Sequence, residues 1–262
     1  MKLTRVDVPA ATRAPTGETA AYVLGRKGAL LVDPGGRTDA LDDAVREQAA
    51  AHLAVTHHHP DHAEALAAYA DAFDLTVWAR AGRCASFADA TGVEPDRTFQ
   101  PGSAIPPGVR VLDTPGHAPE HAGFVTSEGV VTGDLAVADG SVVVGAPEGD
   151  MRAYLSSLRR LHARDPTRLF PAHGPEIENP RVTCERLVAH RRHREKTVLD
   201  AVGAGANTPA EITDCAYEKD ISGVRDLARA TVLAHLEKLV VENRVSRTTS
   251  GEEVKYKLHT NI

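Results

Sequence analysis

The sequence predicts an α/β fold followed by a smaller, mainly helical unit, and three observations carry that reading. Short apolar runs alternate with helical segments, without long linkers, up to His173. Several of these runs stop at a small residue beside an imidazole or a carboxylate, an ending that brings a side chain onto a sheet edge. From Pro180 the strand-like runs vanish, and helical patterns continue until a last pair of β-like segments. A chain of 262 residues accommodates one large domain with a small one, here 1–179 and 180–262.

Taken in order, Ala20–Leu24 and Ala29–Val32 flank Gly25-Arg26-Lys27-Gly28, which is a hairpin signature. Asp39 to Ala50 is expected as a helix with Thr38 as its N-cap. His52–Thr56 is a short apolar run expected as a buried strand. It leads into His57-His58-His59-Pro60-Asp61-His62, after which Ala63–Ala70 is rich in helix formers. Three more apolar runs end at ligand types: Val109–Leu112 before Thr114-Pro115-Gly116-His117, Val130–Gly133 before Asp134, and Leu169–Ala172 before His173. Met151–His162 is expected as a helix capped by Asp150, with Tyr154, Leu155, Leu158 and Leu161 on one face.

Beyond Pro180, a basic helix runs through Arg186–Lys196, and Thr208 with Pro209 opens a second helix. Val224–Val241 forms a third, and a hairpin turning at Ser250-Gly251-Glu252-Glu253 closes the chain. Three helices and a β-wing make the pattern of a winged helix. The third helix is apolar on more than one face (Leu227, Ala230, Val232, Leu233, Leu236, Leu239), and its charges balance. That suits packing, on its own domain or on a second subunit as a homo-oligomer, rather than a DNA groove. The basic helix is expected as a solvated face or a cap beside the site before it is expected to hold phosphate.

Composition excludes several classes. The net charge of −6 gives no global basic field for nucleic acid. No apolar run has the length of a leader or a membrane span. Three scattered cysteines, Cys84, Cys184 and Cys215, form no C-x-x-C pair. Each is expected as a small buried apolar residue in a reducing compartment, so the chain is expected in the cytoplasm and off the membrane.

The spacing H-x-H-x-D-H from His57 to His62 sets three imidazoles and a carboxylate in one stretch, the donors preferred by zinc and similar cations. In an extended segment His57 and His59 can point the same way and hold one ion, while Asp61 and His62 face a second. The order H-x-H-x-D-H, then His117, Asp134 and His173, resembles the metallo-β-lactamase superfamily over about the first two-thirds of the chain. The resemblance implies an αββα sandwich. It implies that His57, His59 and His117 hold one ion, that Asp61, His62 and His173 hold the other, and that Asp134 bridges them. Asp33, at the end of Leu31-Val32-Asp33, matches the family's early strand-end Asp, a partner behind the ligands. The helical tail, with the runs Asp150–Leu158 and His190–Glu195, resembles the β-lactamase-like protein 2 group, in which such a domain carries a C-terminal winged helix. Departures are Glu64-Ala65 near the usual Gly-Gly, Glu120 where Gly is common, and Ala172 for Gly. None removes a ligand; all bear on the substrate entrance.

The ligand set predicts hydrolysis. Two cations about 3.5–4 Å apart can share a hydroxide, because metal binding lowers the pKa of water towards roughly 7. Asp61 is then the candidate to orient that nucleophile and take up its proton. Two zinc ions are expected, with iron or manganese as alternatives. The resemblance implies single-stranded RNA or a thioester or ester as substrate, and an aromatic content of 4% offers few platforms for bases. Glyoxalase II-like hydrolysis of a glutathione thioester is an alternative, and a metal-bearing winged-helix regulator is another of a different class. His58 is expected at the surface or behind the ligands. His121 is expected to shape the pocket or bond nearby backbone, and His52, His162, His235 and His259 carry no predicted role.

Overall fold

The computed structural model describes residues 1–251 and 253–259. β1 (Leu3–Pro9) and β2 (Glu18–Leu24) pair antiparallel, and β2 turns into β3 (Ala29–Val32) through the hairpin foreseen at Gly25–Gly28. α1 (Asp39–Glu47) begins at the Thr38 cap, whose hydroxyl accepts the Leu41 N–H at 3.2 Å. It ends at Glu47 rather than Ala50, because Ala49 turns to a left-handed φ of 42° and Ala50 already pairs with Ala29 in β4 (Ala50–Ala54). The helix expected over Ala63–Ala70 is two helices, α2 (Pro60–Ala63) and α3 (Leu66–Phe73). The Ala65 N–H donates to the Pro34 carbonyl at 3.0 Å, so the helical ladder breaks between them. β5 (Thr76–Arg80), α4 (Cys84–Thr91) and β6 (Arg97–Phe99) complete a six-stranded sheet in the order β1-β2-β3-β4-β5-β6.

The second sheet contains β7 (Ala104–Ile105), β8 (Val109–Asp113), β9 (Ala122–Val125), β10 (Val130–Gly133) and β11 (Leu169–Pro171), ordered β11-β10-β9-β8-β7. α5 (Met151–Arg164) crosses from β10 to β11, which run parallel. Tyr22, Leu30, Phe99, Val111, Phe124 and Phe170 fill the space between the sheets. α1, α3 and α4 cover the first sheet through Leu41, Tyr69 and Phe87, and α5 covers the second through Tyr154, Leu158 and Leu161. These layers make the αββα sandwich. Each fully buried side chain of this size contributes about 1.5–3 kcal/mol, so packing between layers, not the short ladders of β7 and β11, holds the second sheet.

α6 (Pro180–Gly203) extends well beyond the predicted basic stretch and serves two cores. Cys184 and Leu187 join the layer of α5, while Val198, Ala201 and Val202 pack with Ile212, Leu236, Leu239 and Tyr256 further on. α7 (Pro209–Ala216) opens with a capping box: the Thr208 hydroxyl accepts the Glu211 N–H at 3.3 Å, and Glu211 accepts the Thr208 N–H at 3.0 Å. α8 (Arg225–Val241) follows a 3-10 turn, and β12 (Val245–Ser250) with β13 (Glu253–Leu258) forms the wing. Glu252, in the predicted turn, lies outside the described residues.

Three guanidiniums of the basic helix turn to main-chain carbonyls. Arg186 donates to the carbonyls of Gly140, Val137 and Ala138 at 2.6, 2.8 and 2.9 Å. Arg191 donates to Val142 O and lies 5.3 Å over the Tyr154 ring, and Arg194 donates to Ala216 O. These guanidiniums are consumed in clamping the loop after β10 and in closing α7, the cap reading of the sequence. One cysteine expectation fails: Cys184 is buried, but Cys84 is half-buried and Cys215 is exposed. Among the described residues no helix is long and apolar enough to cross a membrane.

Candidate metal centre

The site is assembled where strands of both sheets end. Leaving β3, Asp33 adopts a left-handed φ of 54°, a conformation that Asp and Asn tolerate better than most residues. Its buried carboxylate accepts the Thr56 N–H at 2.6 Å, the Thr56 hydroxyl at 2.7 Å and the His62 Nδ1–H at 2.9 Å. Two residues on, a Cβ at Gly35 would sit 1.9 Å from the Asp61 carbonyl oxygen, so only glycine lets the β3 exit pass under the histidine motif.

Three ring nitrogens converge first. His57 Nε2 and His117 Nε2 lie 2.9 and 3.0 Å from the same atom, His59 Nδ1. The outward nitrogens are each engaged: His57 Nδ1 is 3.1 Å from the Thr56 hydroxyl, His59 Nε2 is 3.0 Å from Glu148 Oε2, and His117 Nδ1–H donates to Val143 O at 2.6 Å. This fixes the rings with their free lone pairs facing one point. The separations approach the roughly 3.3 Å edge of a tetrahedron with bonds of about 2.0–2.1 Å.

A second group adjoins it. His173 Nε2 is 3.5 Å from Asp61 Oδ2, and His173 Nδ1–H donates to the Glu18 carbonyl at 2.9 Å. Asp134 stands between the groups, with Oδ1 3.4 Å from His173 Nε2 and 3.7 Å from His62 Nε2, and Oδ2 3.6 Å from His117 Nε2. His62 Nε2 and Asp134 Oδ1 are buried without a hydrogen-bond partner among the described residues. Orphaned atoms of this kind are costly unless something else satisfies them. Cations at the two convergence points would do so, and the donor set suits them. The structure thus brings together all seven residues singled out for ligation, with Asp33 behind His62.

The electrostatics follow from burial and crowding. Burial, then the neighbouring imidazoles, pushes His57 well below its ordinary pKa and keeps a lone pair available. Burial opposes charge on His62 too, but the Asp33 and Asp134 carboxylates outweigh it and raise its pKa. Burial would raise Asp61, yet the hydrogen bond from His173 and the charge of His62 lower it to about 2. Asp134 is likewise held far down, burial being overcome by His62 and then His117.

Other residues escaped the sequence reading. Glu148 gives no spacing signal, being a lone acid before the Asp150 cap, and the carbonyls of Val143 and Glu18 could come from any residue type. His58 turns away from the centre, with its N–H and its Nδ1 each 3.3 Å from Oε1 of the buried Glu120. His121 accepts the Asp134 N–H on Nε2 at 3.1 Å and lies 2.9 Å from the Thr114 hydroxyl through Nδ1. It is therefore a neutral orienting ring, with burial lowering its pKa to about 3.

A cleft of about 640 Å³ opens over Asp61, Asp134 and His173. Loop 10–17, between β1 and β2, forms one side; residues 137–143 form another, and Leu227 of α8 completes the lining. Ala, Val, Leu and Pro side chains make up nearly half of the residues that line it, among the histidines, carboxylates and hydroxyls of the centre and its rim.

Residues 14–173 match the metallo-beta-lactamase superfamily, and residues 208–253 match the beta-lactamase associated winged helix domain. The chain belongs to the metallo-beta-lactamase superfamily. It is 30% identical over 152 residues to the Beta-lactamase-like protein 2 homolog of Drosophila melanogaster, covering 56% of this chain and 51% of that protein. The chain thus spans about half the length of that curated relative. The atrochrysone carboxyl ACP thioesterase of Aspergillus fumigatus is 28% identical over 132 residues, covering 45% of this chain and 41% of that protein. Among solved structures, the metallo-beta-lactamase family protein TTHA1429 from Thermus thermophilus superposes with a TM-score of 0.78 at 25% identity, covering 98% of each chain. TTHA1623, described in a di-iron-bound form, superposes with a TM-score of 0.53 at 28% identity, over 66% of this chain and 96% of that one.

Proposed function

We propose that the protein is a dinuclear-metal hydrolase that cleaves a thioester or ester of an apolar acyl group. The observation that carries this is the pair of converging donor groups with Asp134 between them, on the floor of a cleft with aliphatic and proline side chains on its rim. Neutral imidazoles with carboxylates suit zinc; iron and manganese accept the same donors, and the relative TTHA1623 is described with iron. When bound, the ions supply a water acidified to near neutrality and positive charge at the reacting carbonyl. His57, His59 and His117 would hold one ion, and Asp61, His62 and His173 the other, with Asp134 placed between the two groups. Asp61, which faces both the cleft and His173, would orient the attacking water, take its proton and return it to the thiol or alcohol released as the acyl carbon–sulfur or carbon–oxygen bond breaks.

The cleft's chemistry selects among substrates. Among the described lining residues there is no Phe, Tyr or Trp on which a base would stack, and the lining guanidinium, Arg13, is already paired with Asp226. RNA would meet neither stacking nor free phosphate contacts there, whereas an acyl chain would meet aliphatic walls. The thioesterase relative is named for the same bond type. The test is metal analysis of chelator-free protein, followed by an activity panel of acyl-thioesters, S-lactoylglutathione and single-stranded RNA. The expected result is more than one equivalent of metal, with turnover greatest on acyl-thioesters. A single equivalent, unchanged by His173→Ala, would refute the dinuclear reading; preferential cleavage of RNA would refute the substrate.

A further inference from the structure

We propose that α8, in the C-terminal helical unit, is a working wall of the substrate cleft: Leu227 sets the length of acyl chain accepted, and Asp226 anchors the loop that covers it. This rests on the reading of the cleft as an acyl site. Leu227 lines the same cleft as His59, Asp61 and Asp134 although it lies far away in sequence. Its neighbour Asp226 takes both guanidinium nitrogens of Arg13, Nη1 to Oδ2 at 3.0 Å and Nη2 to Oδ1 at 3.2 Å. Arg13 sits in loop 10–17, so this fork ties the loop to α8.

The same helix face grips the opposite side. Ala230 follows Leu227 by three positions and Asp226 by four, which places the three on one stripe. The Ala146 N–H donates to Ala230 O at 3.0 Å, and a Cβ on Gly145 would stand 2.8 Å from the Ala230 methyl. The glycine therefore lets the segment after β10 lie directly on α8. That segment also carries Val143, whose carbonyl accepts the His117 ring N–H at 2.6 Å. One short stripe of α8 thus touches both loops that bound the cleft and supplies the apolar side chain between them. Thr12, beside Arg13, lines the cleft with Asp61.

Acyl length follows from contact area, since each methylene buried on the wall is worth about fourfold in binding. Leu227→Trp shortens the available wall and Leu227→Ala extends it. The experiment uses the full-length, metal-loaded protein with a series of S-acyl-N-acetylcysteamine thioesters from acetyl to decanoyl, with released thiol as the readout. Leu227→Trp should lower the octanoyl-to-acetyl ratio of kcat/KM at least tenfold, and Leu227→Ala should move the preferred length upwards. Ratios within twofold of the original in both variants, with unchanged circular dichroism, would overturn the length role. Separately, Asp226→Asn should speed amide hydrogen exchange in residues 10–17 by about two- to fivefold, the worth of an exposed ion pair with good geometry. Unchanged exchange would overturn the anchor. A chain that binds two ions and cleaves no thioester would remove the acyl reading and the length role with it, and the exchange measurement would still decide the anchor.

Discussion

Asp33→Asn tests the least visible part of the centre, because the change replaces a charged acceptor with an amide donor while keeping the shape. Asn is nearly isosteric with Asp and tolerates the left-handed backbone that residue 33 adopts. In the parent chain the carboxylate accepts three hydrogen bonds, two from Thr56 and one from His62 Nδ1–H. An amide must keep its oxygen towards the Thr56 backbone N–H, which can only donate. Its NH₂ then faces His62 Nδ1, so two donors meet unless the ring gives up that proton. His62 would escape the clash by moving its proton to Nε2, the atom that faces the second ion position and Asp134. Disturbing such a partner behind a ligand costs about 10–100-fold in metal affinity, or about 1.4–2.7 kcal/mol. Loss of the buried hydrogen bonds adds a folding cost of about 1–3 kcal/mol, read separately by thermal unfolding. The assay is competition of the stripped protein against a chromophoric chelator, which resolves two binding steps. The weakened step should be the one lost in His173→Ala, while the step lost in His117→Ala keeps its original affinity. Two steps of unaltered affinity in a folded Asp33→Asn variant would refute the tautomer argument.

Further outcomes follow from the same geometry. Asp61→Asn should retain some metal yet lose about 10²–10⁴-fold in turnover, the worth of a general acid–base group, while His58→Ala keeps most of its turnover; the reverse ranking in steady-state kinetics would undo both assignments. His235 is fully buried, neither ring nitrogen has a partner among the described residues, and burial, then the charge of Arg191, lowers its pKa to about 3. Below the ordinary value of 6.5 the unfolded chain takes up a proton that the folded one refuses, so folding stability falls with pH by up to about 1.4 kcal/mol per unit. His235→Phe should remove that contribution and flatten the loss between pH 6.5 and about 3 in urea titrations; parallel pH profiles would show that the ring is not held neutral.

What was legible in the sequence divides along physical lines. The residues from His57 to His173 that converge could be picked out because ligation demands particular atoms, and because the donors sit where apolar runs stop. The caps at Thr38, Asp150 and Thr208 could be read because the orphan N–H groups they satisfy are local. The break between α2 and α3 could not, since it depends on a Pro34 carbonyl brought in from another part of the chain. Nor could the destination of Arg186 and Arg191, whose partners are main-chain carbonyls after β10 that carry no sequence signature. The third helix was read rightly as a packing helix. Its contact with loop 10–17 escaped because one Arg–Asp pair between distant segments looks like any other pair of surface charges.

His58 shows how a donor within the motif can be kept from the ions. The chain bends at Thr56 and His57, so the His57 and His59 rings meet edge to face with centroids 4.4 Å apart while His58 faces away. There it meets Glu120, which is only 5% exposed although the superfamily pattern favours glycine at its position. The Glu120 carboxylate accepts the His58 N–H and stands beside its ring, and so occupies the imidazole that would otherwise compete for metal. A departure that looked like a change to the substrate entrance is therefore a prop behind the loop that carries the histidine motif. His58→Ala would strip a nearly buried carboxylate of part of its shell and cost about 1–3 kcal/mol in stability. The variant should thus unfold at lower temperature while its metal stoichiometry stays intact. Loss of an ion with an unchanged unfolding temperature would instead mean that His58 reaches the metals.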